Sequence, residues 1–432
     1  MFGFFVLIGL WCAMEAGSPT VVANPVLFRN VDVLPMDGTG LNAGMDVIVE
    51  GGRIRAMVPH DPNRTNTGAR VIEGSGKVLM PGLVDMHAHL PNGSAESWDL
   101  DDYFARCLAA GVTTVRSMRG HPRQLAWRAE VLGGERLGPH LVLAAPPFHR
   151  DQAATADLDV LAERYARAGY DFLKVLSGIE FEQYRSLMET TRKLGLDVTG
   201  HIMPEVGPHR TVALGQRTVE HPLTLDTLLE KEGEQGVRKL ARRMRENQVF
   251  FCPTLDFYLI HIPMMRGEDF AKQRPLTGLP PQVQADWTAY QQEYTEKARK
   301  GGEDFLAKRA AFEKRVADYR RLCRILHEEK VAFLVSASAG PFIAPGTSML
   351  DEMKHFKSLG FSNEDVLMAA TWHAARALRK GEEFGQVREG RRADLLLLGA
   401  NPLEDLDALR NIEGVMLEGR LLELPRIATP QL

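Results

Sequence analysis

Residues 78–90 read VLMPGLVDMHAHL. An apolar run is interrupted by the turn pair Pro81-Gly82 and resumes as LVDMH, which is β chemistry on both sides of turn chemistry. His87 and His89 stand two apart on the second run. A strand sends successive side chains to opposite faces, so both imidazoles leave on the same face, and in a barrel that face can point inward. Two neutral imidazoles converging there make a divalent-metal site; two hydrogen-bonded core or rim histidines are the plainer alternative.

Working toward the carboxyl end, further short apolar runs follow: VTTVRS (112–117), LVLAA (141–145), DFLKVL (171–176), DVTGH (197–201), RTVEH (217–221), VFFCPT (249–254) and AFLVSA (332–337). Longer amphipathic stretches separate them, the pattern of βα units on a parallel sheet. With LVDMH (83–87) the runs number eight, the number of a barrel. The expected fold is therefore α/β, a (β/α)8 TIM barrel over residues 81–380. Between the last two runs lies a helical insertion, about residues 283–329, dense in Glu, Lys, Arg and Ala with apolar residues at helical spacing. It reads as a lid or as a subunit contact in a homo-oligomer, with a solvated helical arm as the alternative.

His201 closes DVTGH and His221 closes RTVEH, so four histidines stand at the carboxyl ends of three predicted barrel strands, where barrel enzymes place their active sites. Lys174 sits inside the otherwise apolar DFLKVL, where a buried ammonium needs a reason. Either an acid at the strand end pairs with it, or desolvation lowers its pKa and the free amine takes up carbon dioxide to give a carbamate that bridges two metal ions.

Toward the amino end, VVANPVLFRNVDVLP (21–35), DVIVE (46–50), Gly51-Gly52 and RIRAMV (53–58) have hairpin chemistry. The carboxyl end returns to that style with ADLLLLGANP (393–402) and the two runs of GVMLEGRLLEL (414–424) around Glu418-Gly419. Each end is too short to bury a core efficiently alone. Residues 19–80 and 381–432 are therefore expected to form one small β-sandwich-like domain between them. No repeat of 20 to 50 residues is present.

At 432 residues the chain has room for a barrel of roughly 250 residues and an accessory domain. A hydrophobic share of 44% with 25% charged residues is that of a soluble globular protein. The net charge of −4 and scattered Lys and Arg leave no basic footprint for nucleic acid, so a small-molecule substrate is expected. Cys12, Cys107, Cys252 and Cys323 form no Cys-x-x-Cys pair and read as buried thiols. Residues 2–14, FGFFVLIGLWCAM, are too short to span a bilayer but suit the core of a signal peptide over residues 1–18, which points to a periplasmic or secreted protein. Against this, no Lys or Arg precedes the run and Trp11 adjoins Cys12; a cytoplasmic protein with an apolar extension is the alternative.

The ordered series VLMPGLVDMHAHL, GVTTVRSM, AGYDFLKVLSG, VTGH, TVEH, VFFCPTL, GTSMLDEM, LMAATWHAARAL, GQVREGRRADLLLL and ANPLEDL resembles the amidohydrolase superfamily, in particular its imidazolonepropionase-like and prolidase-like branch. The resemblance covers about residues 21–425. It implies one or two divalent ions, usually zinc, held by His87, His89, a carboxylated Lys174, His201 and His221. It also implies that metal-activated water attacks an amide, lactam or ester carbonyl. At one position the chain departs from the resemblance. Such proteins usually end the eighth strand with an Asp that ligates metal and shuttles a proton; here that position is Ser338, a poor ligand and no general base. Ser117 stands where relatives often carry a second Asp. The expectation is a metal-dependent hydrolase of carbon–nitrogen bonds, impaired at Ser338, against a non-catalytic binding or interaction protein on the same fold.

Overall fold

The computed structural model describes residues 25–64, 68–92 and 98–423. The expected signal peptide, residues 1–18, and Cys12 lie outside the described residues.

The amino-terminal part supplies β1 (Val26–Val33), β2 (Asn42–Glu50), β3 (Arg53–Pro59), β4 (Arg70–Glu73) and β5 (Val78–Pro81). The middle supplies β6 (Leu83–Ala88), β7 (Val112–Ser117), β8 (His140–Leu143), β9 (Phe172–Val175), β10 (Asp197–Gly200), β11 (Thr218–Glu220) and β12 (Phe250–Cys252). The carboxyl part returns with β13 (Leu395–Leu398), β14 (Ile412–Leu417) and β15 (Arg420–Leu421).

Strands from both ends share one eight-stranded sheet in the order β15-β14-β13-β5-β1-β2-β3, with β4 also paired to β1. What each face of this sheet packs against is visible in β13. Its Leu395 and Leu397 face a small core with Phe28, Val31, Val47 and Leu79, while Leu396 and Leu398 face the main core with Val78, Met80 and Val415. A strand apolar on both faces is covered on both sides, here by the small core of strand residues on one face and by the main core on the other.

β6, β7 and β8 form one parallel sheet, and β9 to β12 another. Backbone hydrogen bonds join them, from Ala145 N to Phe172 O (2.9 Å) and from Asp171 N to Leu143 O (2.9 Å). The expected eighth strand is not a regular strand: AFLVSA contributes a single bridge, Phe251 with Phe333. Side-chain bonding replaces the ladder there. Ser338 N donates to Ser336 Oγ (3.0 Å), and Ser338 adopts φ +72°, outside the extended region. The run still receives Leu334 N to Phe251 O (2.8 Å) on one side and Met86 N to Val335 O (3.2 Å) on the other, so the hydrogen bonds lead back to β6.

The insertion is two helices, Pro281–Lys300 and Glu303–Glu328. The second buries Val316, Tyr319, Leu322 and Leu326 in the main core and belongs to the helical layer. The first sets Val283 and Trp287 on a separate apolar cluster with Ile260, Met264, Phe270 and Phe342, beside the carboxyl ends of the strands. Cys107, Cys252 and Cys323 are buried, unbridged thiols.

Candidate metal centre

Period two on β6 turns Asp85, His87 and His89 the same way, and the other elements meet them there. Ring centroids run as a chain from His89 to His87 (5.6 Å), from His87 to His221 (4.6 Å) and from His221 to His201 (5.2 Å). Lys174, on β9, places Nζ 3.4 Å from His87 Nε2. Five of the residues read from the sequence thus gather at one place. His201 reaches it because β10 lies tight on β9: a Cβ on Gly200, whose φ is +125°, would stand 2.0 Å from Val175 O. His221 reaches it by a backbone turn to φ +63°, which breaks strand alternation so that Glu220 and His221 both serve the site.

The ring nitrogens are oriented from behind. Glu220 Oε2 lies 2.6 Å from His87 Nδ1, so that nitrogen carries the proton and Nε2 keeps its lone pair toward Lys174. Glu220 is itself fixed by Arg116 Nη2 (2.7 Å) and by Thr218 Oγ1, and Arg116 Nε donates to Met86 O (2.5 Å). Thr254 Oγ1 gives its hydrogen to Pro253 O (2.7 Å) and therefore accepts from His221 Nδ1 (2.5 Å), leaving Nε2 of His221 with its lone pair. His89 Nε2 is buried with no hydrogen-bond partner.

Burial, reinforced by the Lys174 ammonium, drives His87 well below the ordinary histidine value and His89 to about 3. Burial and Lys174 likewise lower His201 to about 4, and burial with His87 lowers His221 far below its usual range. All four are neutral, as metal ligands must be. Burial also lowers Lys174 to about 8, against the opposing pull of Glu220. Nitrogen donors with one stray lone pair fit a divalent ion such as zinc.

Among the described residues, His87, Glu220 and Cys252 form a trio with ligand atoms within 4.8 Å. Both Glu220 oxygens are occupied by the contacts above, and burial pushes the Cys252 thiol far up. Within this trio Glu220 therefore orients His87 from behind the ring.

Sequence reasoning missed Glu220, Arg116, Thr254 and Asp85, although all but Thr254 carried a signal. Glu220 and Arg116 are charges inside apolar strands, and Asp85 shares the parity of His87. Asp85 Oδ1 accepts from Ser336 Oγ (2.6 Å) and His87 N (3.1 Å), and burial raises its carboxyl to about 6. Ser338 lies with Asp85 and His89 on the wall of a cavity of about 410 Å³. Asp351 and Glu352 do not replace the missing acid: Asp351 pairs with Arg274 (3.2 Å), and Glu352 accepts from Leu255 N (2.9 Å) and Asp256 N (2.7 Å). Ser117 is buried and donates to Gln124 Oε1 (3.0 Å).

Residues 78–422 match the model of the Amidohydrolase family. The chain belongs to the amidohydrolase family. Members of this family are generally metal-dependent. Among curated relatives, imidazolonepropionase of Shouchella clausii is 23% identical over 87% of this chain and 85% of its own length. Dihydroorotase of Halalkalibacterium halodurans is 30% identical over 31% of this chain, which spans about a third of that relative, 32%. Among solved structures, a putative prolidase from Bifidobacterium longum superposes with a TM-score of 0.71 at 23% identity, covering 94% of this chain and 96% of that one. The bottromycin amidohydrolase gives a TM-score of 0.69 at 22% identity, covering 92% and 87%. Likeness at that identity speaks for the amidohydrolase fold alone.

Proposed function

We propose that this protein is a metal-dependent hydrolase of a carbon–nitrogen bond in a small amide, dipeptide or cyclic amide. Its platform is a (β/α)8 barrel, supported by the hydrogen bonds that lead from β6 through β12 and residues 332–335 back to β6. The observation that carries the reading is the gathering of four neutral imidazoles and Lys174 at the carboxyl ends of the strands. His87, His89, His201, His221 and a carboxylated Lys174 hold one or two ions, zinc by their donor chemistry. A lysine lowered to about 8 by burial has free amine available to take up carbon dioxide. When bound, the ion polarises the substrate carbonyl and acidifies the attacking water.

The chain's own residues do the rest. Glu220 and Thr254 hold His87 and His221 in the tautomer that offers Nε2, and the cavity beside His89 receives the substrate. Ser338, a neutral hydroxyl where relatives carry an acid, takes up no proton at neutral pH, which lowers turnover by about 10²- to 10⁴-fold. Scattered charge favours a small-molecule substrate over nucleic acid, and residues 2–14 favour export.

Ser338 also favours a second reading, in which the barrel binds metal and ligand without turnover. Metal content of chelator-free protein, measured beside turnover of a dipeptide, lactam and lactone panel, decides between them. Bound zinc with turnover supports the hydrolase; bound zinc with none supports the binding protein; no metal retained from zinc-containing buffer overturns both.

A further inference from the structure

The helix Pro281–Lys300 lays one face over the mouth, and that face is aromatic. Val283, Trp287 and Tyr290, spaced at helical intervals, line the cavity of about 410 Å³ together with Trp98 and Ile343. Asp85, His89 and Ser338 belong to the same lining. A ligand held there therefore meets His89 of the candidate metal centre and the aromatic wall together.

The wall is set before any ligand arrives. Trp287 stands edge-on to Trp98 (ring centroids 6.1 Å, 69°) and leans on Phe342 (5.4 Å, 32°). Phe342 has φ +62°, a strained conformation for a bulky residue, and Arg274 Nη1 donates to its carbonyl oxygen (2.6 Å). Arg274 is in turn gripped through both nitrogens by Asp256, at 2.9 Å each. Tyr290 is aimed by His261: Nδ1 of that ring donates to Phe257 O (2.7 Å), so Nε2 accepts the Tyr290 hydroxyl (2.9 Å).

The polar side of the cavity carries a hydroxyl at the position where the family pattern has an acid. Ser338 replaces a carboxylate, and the lining charges Arg119 and Asp286 are already engaged within the protein. Rings at fixed positions favour a planar π-surface by offset or edge contacts, beyond the gain from burial alone. A volume of this size takes a substrate with one ring.

We infer that this wall is a subsite for an aromatic ring, so that the substrate is an amide bearing an aryl group beside its carbonyl or on its amine. The inference rests on the hydrolase reading for the word substrate, while the subsite itself is testable by binding alone.

Benzamide, cyclohexanecarboxamide and acetamide are titrated into the zinc-loaded, full-length protein by calorimetry, and the turnover of N-acetyl-phenylalanine amide and N-acetyl-alanine amide is measured in parallel. Benzamide should bind at least about tenfold more tightly than acetamide and several-fold more tightly than the cyclohexane compound, and Trp287→Leu should remove most of that preference. Equal affinity for the three amides in the wild-type protein overturns the subsite without reference to any variant, so a misfolded Trp287→Leu does not rescue it. Aryl-selective binding with no turnover of either amide supports the subsite, and the dipeptide, lactam and lactone panel then decides the hydrolase reading. Turnover of the two amides at equal rates, with no selectivity in binding, overturns the subsite and leaves the hydrolase intact.

Discussion

Lys174 Nζ lies 3.4 Å from His87 Nε2, with Lys174 4% exposed and His87 fully buried. Burial disfavours the charged form of both groups, and the Lys174 ammonium lowers His87 further. Such a pair is costly in an empty site and suited to one that gathers lone pairs.

Replacing the lysine tests that suitability. Lys174→Met keeps length and apolar fit while removing both the buried charge and any carbamate. Bound zinc per chain, measured by mass spectrometry, should fall by about one equivalent and activity should drop at least about 10²-fold. The thermal midpoint of the metal-free protein should hold or rise, since an unfavourably buried amine is gone. Unchanged metal content would exclude Lys174 as a ligand.

Restoring the acid is the complementary change. Ser338→Asp places a carboxylate on the cavity wall beside Asp85 and His89, at a φ of +72° that Asp tolerates better than most residues. Activity toward a responsive amide should increase by about 10²-fold, with tighter metal retention. Full metal occupancy and equal rates in both proteins would show that Ser338 is no defect.

The support behind His87 should matter for stability as well as for activity. Arg116 and Glu220 are 1% and 0% exposed and 2.7 Å apart, so Arg116→Met strands a buried carboxylate. A loss of about 3–5 kcal/mol is expected in urea unfolding. Adding Glu220→Gln should recover part of it by removing the stranded charge, an outcome that simple loss of packing volume would not produce.

A pH-dependent contribution comes from Asp394, which ties the sheet to β8 through His140 Nε2 (3.3 Å) and also accepts from Arg392 Nε (2.6 Å) and Glu418 N (2.9 Å). Burial alone would raise its carboxyl, but these partners outweigh burial and hold it below the ordinary value. A lowered folded value means stability that is fully present above the unfolded value, about 3.9, and is lost as pH falls through the folded one. Asp394→Asn should therefore be less stable than the wild type by about 1–3 kcal/mol near neutrality, with the gap closing below about pH 4. Urea midpoints across that range measure it, and a gap independent of pH would remove the charge from the explanation.

What the sequence determined by itself is whatever depends on local periodicity. Strand alternation decided that His87 and His89 share a face, and β7 and β9 to β12 fall within the runs read as VTTVRS, DFLKVL and their neighbours. The four consecutive leucines of β13 suit a strand covered on both sides, but their spacing does not say by what. Only the tertiary structure decided the rest, because it depends on residues far apart in the chain meeting at one place. Glu220 orients His87 across 133 positions and Thr254 fixes His221 across 33. Just past the eighth run Ser338 leaves the extended region, its N–H bonded to Ser336 and Ser336 to Asp85, a choice no periodicity encodes. The helix Pro281–Lys300 became the wall of a cavity because Phe342, Trp98 and Arg274 converge under it, and convergence is a property of packing in three dimensions, which hydrophobic spacing along one helix leaves open.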